Sequence, residues 1–244
     1  MMFATSMRAT RLTSTLLASS VSMSSAAALS RPASIKLYYG DMPFWRAEVV
    51  RLGLFIGDVP FEDIRNLKRV DLIEQGKLPF GAVPVLEVDG NILSQTQAMA
   101  AYAGKLAGIH PEDPWLAAKV DECINGCTDC TSDIGTTFRL PEDEKAAARA
   151  ALIAPDGRLT LHLNGLEGIA AANAVPAGFA VGDTLTVADL AIWRLLGWLS
   201  SGVIDGIPED YVTTTFPALA KLVAAVDSHA KVIKWKQMHP KFYA

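Results

Sequence analysis

The sequence predicts an α/β unit of βαβ-ββα order followed by an all-α unit. Three observations carry this. Short β-rich runs alternate with helical ones between Ile35 and Leu106. An Asp89-Gly90 pair stands between two apolar runs, as in a hairpin turn. Beyond a Gly- and Pro-containing stretch from Gly108 to Pro114, only helical periodicity remains. The expected boundaries are 35–107 for the first domain, 108–114 for the linker and 115–240 for the helical domain. No internal repeat is present.

Ile35 to Tyr39 reads as the first strand. Phe44 to Ile56 reads as a helix, with Val49, Val50, Leu52 and Leu54 apolar and Arg46, Glu48 and Arg51 polar, and Gly57 ends it. Val59 to Arg65 is a second strand, and Val70 to Gln75 a short helix or loop. The hairpin around Asp89-Gly90 and a helix from Gln95 to Leu106 complete the order of a thioredoxin-like fold. Trp115 to Thr137 and Glu142 to Asn173 are long helical patterns, the second with a potential break at Pro155-Asp156-Gly157. Thr186-Val-Ala-Asp189 is a capping box ahead of a helix, Val187 to Leu199, that is apolar nearly all round. Phe216 to Asp227 and Val232 to Gln237 close the chain's helical pattern.

Composition narrows function. The 244 residues carry 22 Lys and Arg against 26 Asp and Glu, a mild net charge of −4 without a basic block that would suit nucleic acid. No apolar run is long enough to cross a membrane. The cysteines Cys123, Cys127 and Cys130 are too few for a secreted disulfide framework and point to a reducing compartment. Residues 1–34 contain Arg8, Arg11 and Arg31, many Ser, Thr, Ala and Met, and no acid. That is the composition of an organelle transit peptide, for mitochondrion or plastid; a disordered tail on a cytoplasmic protein and a secretory signal are the alternatives.

The stretch Lys77-Leu-Pro-Phe-Gly-Ala-Val-Pro-Val-Leu-Glu-Val-Asp-Gly-Asn-Ile-Leu-Ser-Gln-Thr96 is the most informative. Pro84 interrupts a strand, which suits an edge or a cis bond. A cis bond there turns the Val83 backbone outward, free to pair with an extended peptide. Gln95-Thr96 opens a helix whose N-terminus attracts a carboxylate. A short, acidic, extended peptide fits both features, and glutathione is such a peptide. The block resembles the glutathione-binding half of a glutathione transferase, with wording nearest the sigma class. Lys36-Leu37-Tyr38-Tyr39, Arg46-Ala47-Glu48 and Lys234-Trp-Lys-Gln-Met-His-Pro240 resemble that class as well, so the likeness runs from about Ile35 to Pro240.

The resemblance implies a homodimer that takes glutathione as co-substrate and a small hydrophobic electrophile. It selects Tyr39 as donor to the glutathione thiolate, with one extra residue in the following loop. Strand alternation puts Tyr38 and Tyr39 on opposite faces, so only one can reach the ligand. Arg46 either supports the tyrosine and thiolate or is a surface cation. Val83 and Pro84 present the cysteinyl-pairing backbone, and Gln95 and Thr96 hold the γ-glutamyl end. A Trp and a Lys that serve the glycyl end in the sigma pattern fall at Asp71 and Gln75, leaving Lys77 or Lys68 as substitutes. Asp129 is the aspartate donated across the dimer, and Phe80 the interface wedge. Metal-binding relatives carry several aspartates near that position; Asn125 and Thr128 replace them here, so no metal is expected.

Met42 stands where cysteine-type relatives have their nucleophile, which disfavours thiol-transfer chemistry. The three cysteines share one helix face, as packing or a pocket wall rather than a metal or redox site. Two alternatives to conjugation remain: a glutathione-dependent isomerase or peroxidase of prostaglandin D synthase type, and a non-catalytic binding protein like the lens crystallins of this family.

Overall fold

The computed structural model describes residues 31–173 and 176–243. The transit-peptide expectation therefore lies almost wholly outside the described residues. From Arg31 onward the chain forms one compact unit.

Its first part runs β1 (Ile35–Tyr38), α1 (Trp45–Ile56), β2 (Glu62–Ile64), α2 (Arg69–Glu74), β3 (Val85–Val88), β4 (Asn91–Ser94) and α3 (Thr96–Ala107). The sheet order is β2-β1-β3-β4. β1 lies parallel to β2 and antiparallel to β3, and β3 pairs antiparallel with β4. The hairpin turn has positive φ at both Asp89 (48°) and Gly90 (83°), as a tight two-residue turn requires. β2 is shorter than the expected Val59–Arg65. It is an edge strand, and Pro60 has no N–H to give a ladder. Val59 nonetheless packs into the core.

The helical part comprises α4 (Pro114–Thr137), α5 (Glu142–Leu152), α6 (Arg158–Ala172), α7 (Val187–Leu199), α8 (Tyr211–Thr215), α9 (Pro217–Asp227), α10 (Ala230–Met238) and α11 (Pro240–Tyr243). The Asp113 carboxylate accepts from Leu116 N at 2.9 Å and starts α4, with Pro114 in its first turn. The break at Pro155–Gly157 is real and separates α5 from α6. A Cβ on Gly157 would sit 2.2 Å from the Leu152 carbonyl oxygen, so the chain can turn this tightly only with glycine. Short α8 and α11 carry too few residues for a periodic signal and were not expected.

One apolar core runs through both parts. α1 lies between α3 and α7 and is buried along its length. The capping box forms at α7: one Asp189 oxygen accepts from Ala180 N at 2.7 Å, and the other accepts from Thr186 N at 2.7 Å and Thr186 Oγ1 at 3.0 Å. Burial pushes the Asp189 carboxyl up to about 6 against the pull of these bonds. On the opposite face of the sheet a small second cluster gathers Tyr38, Leu72 and Val85.

Candidate active site

Strand alternation separates the two tyrosines. Tyr38 turns toward α2, where its hydroxyl donates to Glu87 Oε2 at 2.9 Å and accepts from Lys77 Nζ at 3.1 Å. Tyr39 turns toward α1 and is 9% exposed. Among the described residues nothing hydrogen-bonds its hydroxyl. Burial raises its pKa, while Arg46 and Arg51 pull it down. The net direction is upward, so the hydroxyl keeps its proton at neutral pH and is available as a donor.

Arg46, in the first turn of α1, lines a cavity of about 140 Å³ together with Phe80, Ala82, Val83, Pro84, Ser94, Gln95 and Thr96. Tyr39 is not in the wall itself. Arg46 is the link, close enough for its charge to act on the Tyr39 hydroxyl. The guanidinium packs 4.9 Å from the Trp45 ring centroid and has no carboxylate partner among the described residues. Burial lowers its pKa, but arginine starts so high that it stays charged. A half-buried cation without a counter-ion is a place for an anion.

The backbone completes the cavity. Val83-Pro84 is cis. The Val83 N–H and C=O make no backbone hydrogen bond among the described residues. Gln95 adopts φ 73° and ψ 122°. A non-glycine residue held there costs on the order of 1–3 kcal/mol, which the surrounding structure must hold in place. Thr96 begins α3, whose first turn carries no acidic side chain, so the amide dipoles face the cavity uncompensated.

A charged network fixes the loop between Tyr39 and α1. Arg51 is fully buried. It donates to Gly40 O at 3.2 Å, Met42 O at 2.9 Å, Glu48 Oε2 at 3.0 Å, and both Asp63 oxygens at 3.0 and 3.1 Å. Glu48 and Arg51 are thus interior residues, not the solvent face that their charge pattern on α1 suggested. Trp45 Nε1 donates to Thr131 Oγ1 at 2.7 Å and ties the same helix to α4.

Other expected positions lie elsewhere. Gln75 and Asp71 are exposed on and after α2, and neither lines the cavity. Lys77 is committed to Glu87 at 2.8 Å and to Tyr38, on the other side of the sheet, so it does not substitute for the missing lysine. Lys68 is exposed at the start of α2. Asp129 lines a separate groove of about 630 Å³ between α4 and α6, with Asp121, Asn125, Gly126, Leu161, His162 and Leu166 among its neighbours. Phe80 is 68% exposed at the mouth of the small cavity. Cys123, Cys127 and Cys130 are buried, and burial pushes Cys123 and Cys130 up to about 12 and Cys127 well above the ordinary thiol value. Ser94 went unread although it directly precedes Gln95-Thr96; its Oγ is buried without a hydrogen-bond partner.

Comparison with known proteins identifies the family and the fold. Residues 128–239 match the family model described as glutathione S-transferase, C-terminal domain. Glutathione S-transferase 1 of Ascaris suum is 31% identical over 214 residues, covering 84% of this chain and 97% of its own. Glutathione S-transferase 2 of Caenorhabditis elegans is 32% identical over 154 residues, covering 59% of this chain and 78% of its own. The structure of prostaglandin synthase D of Nilaparvata lugens superposes with a TM-score of 0.69 at 26% identity, covering 85% of this chain and 98% of that one. The chain belongs to the glutathione S-transferase family, with its thioredoxin-like plus all-helical fold.

Proposed function

We propose that this protein is a sigma-like, tyrosine-type glutathione transferase that conjugates glutathione to small hydrophobic electrophiles. One observation carries the proposal: Tyr39, a protonated donor without a hydrogen-bond partner among the described residues, lies within reach of the charge of Arg46, which has no carboxylate partner among them and lines a cavity framed by cis-Pro84 and the start of α3. Glutathione would lie extended, its cysteinyl amide paired with Val83 and its γ-glutamyl carboxylate at Gln95 and Thr96. A free thiol has a pKa of roughly 8.5, and each unit removed is worth about 1.4 kcal/mol. The Tyr39 hydroxyl donates to the sulfur and the Arg46 charge favours the anion, so the thiol proton leaves to solvent near neutral pH. With a chloronitrobenzene the thiolate forms a carbon–sulfur bond as the carbon–chlorine bond breaks and chloride departs.

The groove holding Asp129 supports a homodimer. Phe80 would enter this groove on a second copy, bringing Asp129 toward that copy's γ-glutamyl amine. The similarity to a prostaglandin synthase D favours a second reading, a glutathione-dependent isomerase on the same site. The exposed Asp71 and Gln75 leave the glycyl end with fewer contacts, which is what a non-catalytic binding protein would tolerate.

Chloronitrobenzene conjugation by residues 35–244, beside prostaglandin-endoperoxide isomerisation, tests these readings. Turnover in the first assay supports the transferase; turnover in the second alone moves the function to the isomerase. Retention on immobilised glutathione with neither activity leaves a binding protein. Residues 1–34 are proposed as an organelle presequence, which a reporter fused to them checks by its location.

A further inference from the structure

The loop from Gly40 to Phe44 is gripped from several sides, and a sequence-distant segment closes the grip. Arg51 holds the Gly40 and Met42 carbonyls, and Arg194 of α7 donates to the Pro43 carbonyl. The Asp41 carboxylate accepts from Lys241 at 2.7 Å and Arg65 at 3.3 Å. Glu48 positions Arg51 with one oxygen. Its other oxygen accepts from Trp235 Nε1 at 2.7 Å and from the Tyr243 hydroxyl at 2.6 Å. The Tyr243 ring stacks on Trp193 at 5.9 Å, and the Arg194 guanidinium lies 5.5 Å from its centroid. Tyr243 thus reaches two of the four cations that hold the loop, Arg194 directly and Arg51 through Glu48. Burial and the Glu48 carboxylate keep its hydroxyl protonated well beyond the working pH range, so this donor does not switch off.

We infer that Tyr243, with Lys241, is a positioning residue for Tyr39: the Trp235–Tyr243 segment acts as a strap that sets the register of the Gly40–Phe44 loop and so the aim of the Tyr39 hydroxyl. The inference rests on the proposed thiolate-stabilising role of Tyr39. It follows from the geometry of donors. A hydrogen bond to a thiolate weakens steeply as its angle and distance degrade, and a displacement near 1 Å far from the chemistry can cost orders of magnitude in rate. Without the Tyr243 hydroxyl, Glu48 keeps its Arg51 bond but loses one of its two bonds to the strap, the one from Trp235 remaining.

The test is the ultraviolet thiolate band of the protein–glutathione complex titrated against pH, which needs no electrophile, with kcat and KM for conjugation alongside. Tyr243→Phe keeps the stacked ring and removes only the hydroxyl; Lys241→Met loosens the loop at an exposed site. Expected are a thiolate titration moved upward by about half a pH unit in each variant, a roughly threefold lower kcat, and a nearly unchanged KM for glutathione. Combined with Tyr39→Phe, neither change should cost anything further, because both act through the same hydroxyl. Wild-type titration in both variants, or losses that simply add to that of Tyr39→Phe, overturns the strap while leaving the transferase reading intact. Absence of any thiolate band in the unmutated protein overturns that reading and the strap with it.

Discussion

The two cavities differ in kind. The one beside Arg46 is small, near 140 Å³, and two of its features are costly to build: a cation without a carboxylate partner among the described residues, and a non-glycine residue at positive φ. The groove between α4 and α6 is several times larger, near 630 Å³, and is made from ordinary helix faces with Leu161 65% exposed on its wall. Volume therefore points away from the proposed site. On the proposed reading the expensive local geometry is where the ligand is held, and the cheap, open, partly apolar groove is what a second copy covers.

The largest effect should come from breaking the second half of that contrast. Leu161→Glu puts a carboxylate into a groove already holding Asp121, Glu122 and Asp129. If a second copy covers the groove, the dimer weakens by at least two orders of magnitude, since a charge forced into an interface without a partner costs several kcal/mol. Light scattering at micromolar concentration should then report a monomer. An unchanged mass in both proteins would make the groove something other than the dimer face.

Next is Tyr39→Phe, which tests the small cavity. A hydrogen bond to a charged group is worth about 1.5–3 kcal/mol, so kcat/KM should fall about ten- to a hundredfold. The sign of the pH effect follows from burial. Tyr39 has a raised pKa and remains a donor across neutrality, so a limb below pH 9 would belong to the glutathione thiol. Removing the donor destabilises the thiolate and shifts that limb to higher pH, and activity partly recovers in alkaline buffer. A limb that does not move would show that the hydroxyl points elsewhere.

Asp129→Asn joins the two regions and should act more mildly. If Asp129 reaches the other copy's γ-glutamyl amine, KM for glutathione rises by roughly three- to tenfold with little change in kcat, the signature of a lost binding contact. Steady-state kinetics at saturating electrophile separate the two parameters. The Leu161→Glu monomer should show the same rise, and Asp129→Asn should add nothing to it.

Much of this was legible in the sequence because it depends on local pattern. The hairpin at Asp89-Gly90, the cis-compatible Pro84, the Thr186 capping box and the opposed faces of Tyr38 and Tyr39 are each fixed within a few residues. What was not legible depends on partners far along the chain. Glu48 and Arg51 look like a solvent face of α1 until α10 and β2 supply Trp235 and Asp63. Lys77 looks available for a carboxylate until the sheet pairs it with Glu87. At Glu48 and Arg51 the reason is buried charge: its cost is met only by tertiary hydrogen bonds, which leave no period in the sequence.

The smallest effect at neutral pH concerns the cysteines on α4, the helix that lines the groove with its outer face. Cys123, Cys127 and Cys130 are fully buried on its inner face, and their raised pKa values keep them neutral thiols. Native protein at pH 7.5 should resist iodoacetamide, and conjugating activity should survive the treatment. Linkage predicts where the thiols do matter. In the unfolded chain they ionise near pH 8.5, while in the folded state Cys123 and Cys130 hold their protons up to about pH 12. Between those limits the folded state binds more protons, so stability falls as pH rises, by about 1.4 kcal/mol per thiol for each unit above the unfolded value. Below that value the contribution is fully retained. Urea midpoints measured from pH 7 to 10 should therefore bend downward above about pH 8.5. Cys123→Ala, with one thiol fewer, should bend less from a lower starting point. Identical curvature in both proteins would mean that water reaches this face of α4.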